Sequence, residues 1–430
     1  MRARSRTGEG SMTEGQPQQP PSRWGLRAAV GFVFVAVMMD MTALGIVVPV
    51  LPGLVRQLLH GDAALAARYI GWFATVWALM QFFSSPVAGA LSDRFGRRPV
   101  LLASMFGMAA DYVVMALAPT VGWLLLGRII SGVTSASFST ANAYIADVTP
   151  PEKRAARFGL LGAAFGIGFI GGPAIGGLLG QYDPRAPFWC AAVLCFCNGL
   201  YGVFVVPESL APENRSPFSL RLANPVGAFE LYSSGRDLLI LAAIMFLFYL
   251  SHQVLQSTWV LYTAYRYHWS TRAMGLSLML VGVGSIVVQA LVVRRFVARF
   301  GERSALYCGL FAGVAGFLIY GLARVGQEFL LGVPVFAILG LLAPGVQGLM
   351  SRRIPANQQG RLQGANSSLM AIASMLGPIL FTETFARTIT RWSAWAPLGT
   401  PFFLAAALLS VALALSFTVG RTGRGAAPAE

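Results

Sequence analysis

Three ionisable residues, Asp40, Asp111 and Arg128, lie inside long apolar stretches of the sequence. Asp40 follows Arg27 by thirteen residues and Asp111 follows Pro99 by twelve, so in helices they lie about 20 and 18 Å from those residues. Arg128 follows Pro119 by nine residues, so it lies about 14 Å along its helix from the opposite membrane surface. Charges inside a bilayer are costly and mark pathways for ions or substrates. The three residues are therefore candidates for one proton site at mid-depth.

Two interpretations of this site remain open from the sequence. Burial favours the neutral form of a carboxylate, whereas a nearby arginine favours the charged form, so a contact that breaks would change the proton affinity. The alternative is a permanent Arg–Asp pair that only fixes the packing of the helices. For Arg128 the two are evenly balanced, and for Asp40 and Asp111 we favour proton coupling.

A second group of candidates surrounds a short basic turn, Ser92 to Pro99, which separates two apolar stretches. An acid at a helix end can cap a neighbouring helix, and arginines can pair with acids of adjacent loops such as Asp147. The alternative is that the turn only anchors the chain at the membrane surface. That role would need the arginines but not Asp93. The predicted gating residues are Asp93, Arg94, Gly96, Arg97, Arg98, Asp147, Gly172 and Pro173.

Polar side chains also interrupt an apolar stretch near residue 255, where the sequence reads HQVLQSTW from His252. Polar groups at membrane depth are tolerated where they face a cavity or another helix. His252 fits a packing residue as well as a ligand contact. The predicted substrate-binding residues are Gln81, Asn142, Gln253, Gln256 and Trp259.

The composition places these residues in a polytopic membrane protein. Hydrophobic residues make up 56% of the 430 residues, charged residues only 11%, and the mean hydropathy is +0.63. Soluble domains carry roughly a quarter charged residues. Neither the three histidines nor the four cysteines show metal-ligand spacing, and no nucleophile or phosphate-binding motif is present. We therefore predict no enzyme activity, no cofactor and no metal.

The net charge of +15 is spread along the chain, and this distribution predicts topology. Of the 32 Lys and Arg residues, 23 lie in the two tails and in alternate loops, which the positive-inside rule assigns to the cytoplasm. No basic patch remains for nucleic acid. Both termini are predicted to be cytoplasmic, in a bacterial inner membrane.

Twelve apolar segments can position these residues, and the fold class predicted from them is an all-α membrane protein with two six-helix bundles. The segments are 28–53, 69–91, 100–118, 121–146, 156–180, 187–206, 237–263, 273–293, 304–323, 329–350, 362–386 and 399–419. The predicted units are a disordered tail (1–26), an N-terminal bundle (27–206), a cytoplasmic linker (207–236), a C-terminal bundle (237–419) and a second tail (420–430).

The two halves of the sequence repeat each other at an offset of 205 residues. Arg94-Phe95-Gly96 returns as Arg299-Phe300-Gly301. The same offset relates Pro150 to Pro355, Gly159 to Gly364, and Gly172-Pro173 to Gly377-Pro378. A tandem duplication predicts parallel six-helix repeats, as in major facilitator transporters.

The turn GALSDRFGRRPVL, from Gly89, resembles the loop signature of the major facilitator superfamily. The glycines from Gly159 to Gly177, with Pro173, resemble the fifth-helix motif of drug/proton antiporters. Further similarity to the tetracycline/proton antiporter group lies in DMTALGIVVPVLPG from Asp40, in AYIAD before Val148 and in RLQG from Arg361. This resemblance implies transport roles for Asp40 and Asp111, and a gating role for the turn.

The resemblance fails at two positions of the C-terminal half. Where tetracycline antiporters carry a functional histidine and aspartate, this sequence has Ser285 and Gly313. Glu383 lies towards the outer end of its segment, so that half has no acid at mid-depth. Tetracycline–magnesium is therefore not expected to be the main substrate.

The leading prediction is a proton-coupled antiporter that exports a small amphipathic, drug-like compound and functions as a monomer in the lipid bilayer. The alternatives are a metabolite or nutrient transporter on the same fold and a non-transporting membrane sensor. The fifth-helix motif disfavours import, and the retained Asp40 and Asp111 disfavour a sensor.

Overall fold

The computed structural model of this chain describes a helical protein. The described residues are 23–135, 137–210, 212–215, 231–232, 235–355 and 358–420. Most of the predicted N-terminal tail, the centre of the predicted linker and all but the first residue of the C-terminal tail lie outside these ranges.

In the described ranges, eight α-helices form the N-terminal half. They are α1 Arg23–Val47, α2 Leu51–Leu58, α3 Ala63–Phe95, α4 Arg97–Leu117, α5 Val121–Thr134, α6 Ser137–Val148, α7 Pro151–Leu179 and α8 Ala186–Val205. Helix α1 packs against α7 and α8, and α4 packs against α5 and α8. This arrangement encloses Asp40 and Asp111, which are 2% and 0% exposed.

The C-terminal half has seven α-helices among its described residues. They are α9 Arg236–Tyr267, α10 Thr271–Val287, α11 Arg294–Leu322, α12 Gly326–Ala337, α13 Leu342–Ser351, α14 Gln359–Ile389 and α15 Thr400–Ser416. A π-helical stretch, Val288–Val293, joins α10 to α11, and a 3-10 stretch, Ile338–Leu341, joins α12 to α13. Both irregular stretches lie inside predicted membrane segments, where the hydrophobic pattern indicated uninterrupted helices.

The helices account for all twelve predicted segments. In the part of the chain that the structure describes, nine helical stretches are long and apolar enough to cross a membrane. One of them, Thr271–Leu322, has 52 residues and contains the eighth and ninth predicted segments. The shorter helices Val121–Thr134 and Thr400–Ser416 correspond to the fourth and twelfth segments. The fold class predicted from the sequence is confirmed.

The backbone repeats at the offset found in the sequence. Gly96 and Gly301 occupy equivalent positions and have φ angles of 107° and 82°, which L side chains rarely adopt. Pro173 and Pro378 both lie inside helices. A Cβ atom added to Gly159 or to its counterpart Gly364 would meet no atom within 4 Å. The basic turn and its counterpart therefore share one backbone conformation.

The two halves touch at one end of the molecule, which we call the closed side. There α3 packs against α14, and α7 packs against α10. Thr75 donates a hydrogen bond of 2.7 Å to the carbonyl of Met375, and Arg68 pairs with Glu383 at 3.0 Å. A Cβ atom on Gly177 would lie 3.1 Å from the Cα of Gly275, so these helices cross with their backbones in near contact.

At the other end, which we call the basic side because it carries the Ser92–Pro99 turn, the halves separate. A Cβ atom on Gly89, Gly162 or Gly360 would meet nothing within 4 Å, although each lies on a helix that reaches the other half at the closed side. The described conformation is therefore open towards the basic side. In an alternating-access cycle this is one of two end states.

Candidate functional site

The ion pair of Asp111 and Arg128 joins α4 to α5 inside the N-terminal half. Arg128 Nη2 donates to Asp111 Oδ2 at 3.1 Å. Gly127 permits this approach, because a Cβ atom there would lie 2.6 Å from Asp111 Oδ1. Asp111 also has a side-chain hydrogen bond with Ser131, and Arg128 Nη2 lies 2.7 Å from Met115 Sδ. In the described part of the chain, Asp111 Oδ1 and Arg128 Nε show no partner of their own, so the pair keeps unused hydrogen-bonding capacity.

Asp40, in the second half of α1, contacts a residue that the sequence did not single out. Its Oδ1 accepts a hydrogen bond of 2.9 Å from Asn198 Nδ2 on α8, which also donates to the carbonyl of Ala36 at 3.0 Å. Asn198 is fully buried. The only sequence signal was an amide in the middle of an apolar segment, a signal shared by several packing residues.

Tyr112 and Cys195 lie near both Asp40 and Asp111. Both side chains are buried, on α4 and α8, and both lie within electrostatic range of Asp40 and Asp111. The structure thus brings Asp111 and Arg128 into direct contact, as the depth argument predicted. Asp40 lies in the same helical bundle, bonded to Asn198. Both acids therefore lie near the same two buried side chains.

The basic turn is organised by Arg97, the first residue of α4. Its guanidinium binds Asp93 and the Ser92 hydroxyl, and its Nε donates to Asp147 Oδ2 at 2.9 Å. The predicted pairing of the turn with Asp147 is therefore present. Arg98 donates to the carbonyl of Val203 at 2.7 Å, which attaches the turn to the end of α8.

The predicted capping role of Asp93 is wrong for this state, because Glu208 caps α4 instead. The backbone N–H groups of Arg97 and Arg98 donate to the Glu208 carboxylate at 2.8 and 3.2 Å. An acid at a helix N-terminus is stabilised by the free N–H groups and the helix dipole. The Asp93 side chain is 51% exposed and pairs with Arg97. Glu208 follows α8 and is more than 100 residues from the turn in sequence, so the sequence did not indicate that it caps α4.

The basic side of the C-terminal half carries the same ion pair with its charges exchanged. Glu302 and Arg352 stand 205 residues after Arg97 and Asp147, and they pair at 2.7 Å. The duplication has therefore conserved the position of the salt bridge and inverted its polarity. Each half therefore carries an ion pair of its own at the basic side.

Gly172 and Pro173, the two predicted gating residues on α7, contact different neighbours. A Cβ atom on Gly172 would lie 2.6 Å from the carbonyl oxygen of Thr42 and 2.7 Å from the Cα of Gly45, so this glycine packs against α1. The carbonyl of Pro173 faces Gly275 of α10, across the closed side. Arg94 lies at the exposed end of α3, over the ring of Phe95.

The predicted substrate-binding residues are dispersed. Gln253 is buried and donates to Ser374 on α14 at 2.9 Å, and Gln256 is exposed. Trp259 is 1% exposed, bonded to Ser277 and packed 4.6 Å from the Phe329 ring. Trp259 therefore lies in an aromatic core and not on a cavity wall, contrary to the expectation. Gln81 and Asn142 are half-buried on α3 and α6.

Replacement of Asp93 by alanine is expected to impair transport by changing the ratio of the inward-facing to the outward-facing state. The side chain contributes one exposed ion pair, worth at most about 1 kcal/mol, so folding should be unaffected. Labelling of engineered cysteines on the basic and closed sides measures the balance. Unchanged labelling together with full transport would reduce the turn to a topological anchor.

Comparisons with known proteins agree with this architecture. A profile of the Major Facilitator Superfamily matches residues 33–378. The chain is 40% identical to "Tetracycline resistance protein, class C" of Escherichia coli, over 88% of this chain and 93% of that protein. It is 33% identical to the class B protein of the same organism, over 91% and 97%.

Solved structures show the same fold at lower identity. The crystal structure of the human organic anion transporter MFSD10 (TETRAN) superimposes with a TM-score of 0.67 at 24% identity, covering 93% of this chain and 100% of that one. A D-xylose-proton symporter gives a TM-score of 0.75 at 15% identity, with 92% and 98% covered.

Proposed function

Because this chain belongs to the Major Facilitator Superfamily, we propose that it exports a small amphipathic, drug-like compound in exchange for protons by alternating access. The fold and the relatives are those of transporters, and the tetracycline resistance proteins among them place the chain with drug-efflux carriers. The observation that carries proton coupling is the Asp111–Arg128 pair, a titratable acid and its partner buried together inside the membrane-spanning helices. A proton on Asp111 would neutralise the carboxylate and release Arg128 from it.

The proposal includes an orientation. The basic side, where 23 of the 32 Lys and Arg residues lie, faces the cytoplasm, so both termini are cytoplasmic and the described state faces inward. We propose two bundles, 27–206 around Asp40 and 237–419 around Trp259. The two bundles rock against each other, and the protein works as a monomer. The working location is the bacterial inner membrane.

The direct test measures proton movement in liposomes that contain the purified protein. A panel of drugs is added on one side in the presence of a pH-sensitive dye. Export coupled to protons predicts a proton flux that depends on the drug and that disappears when a protonophore removes the gradient. Drug movement without any proton flux would contradict the proposal.

Tetracycline is expected to be a weak substrate, although the relatives include tetracycline resistance proteins. Gly313 is packed against two leucines, since a Cβ atom there would lie 2.7 Å from a Cδ atom of both Leu339 and Leu409, and an acid would require both side chains to move. The acids of the described C-terminal half lie near the ends of their helices. Each charged hydrogen bond that is missing costs about 1.5–3 kcal/mol, or roughly tenfold or more in affinity.

Susceptibility of a pump-deficient bacterium that expresses the unmodified chain tests this expectation. Resistance should be stronger towards neutral aromatic drugs than towards tetracycline. A strong and selective tetracycline resistance would show that Ser285 and Gly313 are adequate substitutes for titratable groups.

A further inference from the structure

A cavity of about 360 Å³ lies in the C-terminal half, apart from the carboxylates of the N-terminal half. Its walls come from α9, from the end of α10 with the following π-helical stretch, and from the junction of α12 with α13. Ligand pockets have volumes of about 300–1,000 Å³, so this cavity is large enough for a compound of small-drug size.

Both irregular helical stretches of the C-terminal half meet at this cavity. Gln289 and Val293 belong to the π-helical stretch, and Leu339 and Gly340 belong to the 3-10 stretch, and all four line the cavity. Irregular backbone at membrane depth is tolerated where it lines a cavity, and π-helical insertions are frequent at functional sites. The two irregular stretches are therefore a second indication, separate from the volume, that the cavity is a functional site.

Three polar side chains of the cavity wall have unused hydrogen-bonding capacity. Within the described residues, the imidazole of His252 and the amides of Gln289 and Gln347 form no hydrogen bond with the protein. Ser285 donates to the carbonyl of Val281 at 3.0 Å and keeps its acceptor capacity. Gln289 is exposed, and His252 and Gln347 are half-buried, so all three can be reached from the cavity. Their convergence on one space, with hydrogen-bonding capacity left for a ligand, indicates a binding site.

His252 lies at the centre of α9, sixteen residues after Arg236 and fifteen before Tyr267. This places it about 24 Å along a helix of about 48 Å, at the depth where transporters of this architecture bind substrates. Its ring packs between two aromatic side chains, 5.9 Å from Phe248 and 6.1 Å from Phe336. The imidazole therefore lies beside the cavity with an aromatic neighbour on α9 and another on α12.

The lining defines the class of ligand. Of the described residues around the cavity, none is Asp, Glu, Lys or Arg, while Phe248 and Phe336 offer aromatic surface. Imidazole and amide groups both donate and accept hydrogen bonds without charge. Building on the proposed export function, we propose that this cavity binds an uncharged aromatic compound whose hydroxyl, keto or amide groups bond to His252, Gln289 and Gln347.

Chloramphenicol, a neutral aromatic compound with hydroxyl and amide groups, is a suitable probe, and ethidium, a permanent aromatic cation, is the comparison. Binding is measured on the purified full chain in nanodiscs. His252→Phe keeps the aromatic packing and removes the hydrogen bonds, and Gln347→Leu removes an amide of similar size. Each is expected to raise the Kd for chloramphenicol about tenfold, and ethidium binding should not change.

Gln327→Leu is the matched control, because Gln327 is exposed at the opposite end of the same transmembrane segment, in the first turn of α12. It should bind chloramphenicol as the unmodified chain does. Ala343→Trp fills the cavity without removing a polar group and should abolish binding, with the thermal unfolding temperature reporting that the protein is folded.

Equal chloramphenicol affinity in His252→Phe, Gln347→Leu and Gln327→Leu, or no chloramphenicol binding by the unmodified chain, would overturn the site. The liposome flux assay separates this failure from failure of the proposed function. If other drugs drive proton flux while the cavity variants bind normally, only the site is refuted. If no drug drives proton flux, the export function itself is refuted.

Discussion

The Asp111→Asn variant is expected to lose all proton-driven accumulation while it still exchanges substrate across the membrane. Asparagine keeps the volume of the side chain and its hydrogen-bonding oxygen next to Arg128, but it cannot bind and release a proton. A gradient of one pH unit supplies about 1.4 kcal/mol per proton, enough for a roughly tenfold gradient of substrate. Without titration at Asp111 that coupling disappears.

Two transport measurements separate coupling from binding. Accumulation driven by an imposed pH gradient should be absent in Asp111→Asn, whereas counterflow of labelled substrate, which needs no proton gradient, should continue. A gradient-driven accumulation equal to that of the unmodified protein would show that the coupling proton is carried elsewhere, for example by Asp40.

Loss of stability is the main confounding effect, because removal of one partner from a buried ion pair costs about 3–5 kcal/mol. The double variant Asp111→Asn, Arg128→Gln removes the unpaired charge and is expected to restore membrane abundance to that of the unmodified chain. It should remain uncoupled. Recovery of coupling in the double variant would identify the pair as a structural lock, the alternative that the sequence left open.

The Asp111–Arg128 ion pair was predictable because charge is rare in apolar segments. Asp111 and Arg128 stand out for that reason alone, and a depth of 1.5 Å per residue was sufficient to place them together. Asn198 and Glu208 could not be found in the same way. An amide inside a helix and an acid in a loop are ordinary in composition, and only the packing of α8 against α1 and α4 gives them partners.

The C-terminal half shows a second limit of the hydrophobic pattern. A π-helical turn and a 3-10 turn change the hydrogen bonding of the backbone, but Val288–Val293 and Ile338–Leu341 are nearly as apolar as regular membrane helices. The pattern therefore predicts unbroken helices. In the same way, the sequence favoured Trp259 as a substrate-binding residue and left the role of His252 open. Seven residues of α9 separate them, and only His252 reaches the cavity.

The Gly177→Val variant is expected to abolish transport by preventing closure of the closed side. Gly172 and Gly177 lie five residues apart, about 140° around the helix, so α7 presents small residues to α1 and to α10 at once. A Cβ atom on Gly177 would lie 2.7 Å from the carbonyl oxygen of Thr271 and 3.1 Å from the Cα of Gly275. Because both contacts are with backbone, no rotamer change can relieve them, and the two halves must move apart.

Gly171→Val is the matched control, since a Cβ atom at Gly171 meets nothing within 4 Å and the substitution is made on the same helix. Transport by Gly171→Val should be normal. A cysteine introduced at Met375, in a chain whose four native cysteines are replaced, reports on the closed side, where Met375 contacts Thr75. We expect faster labelling of that cysteine in Gly177→Val than in Gly171→Val, because the halves can no longer meet. Equal labelling, or equal transport by the two variants, would mean that the crossing of α7 and α10 tolerates a larger separation and does not form the gate.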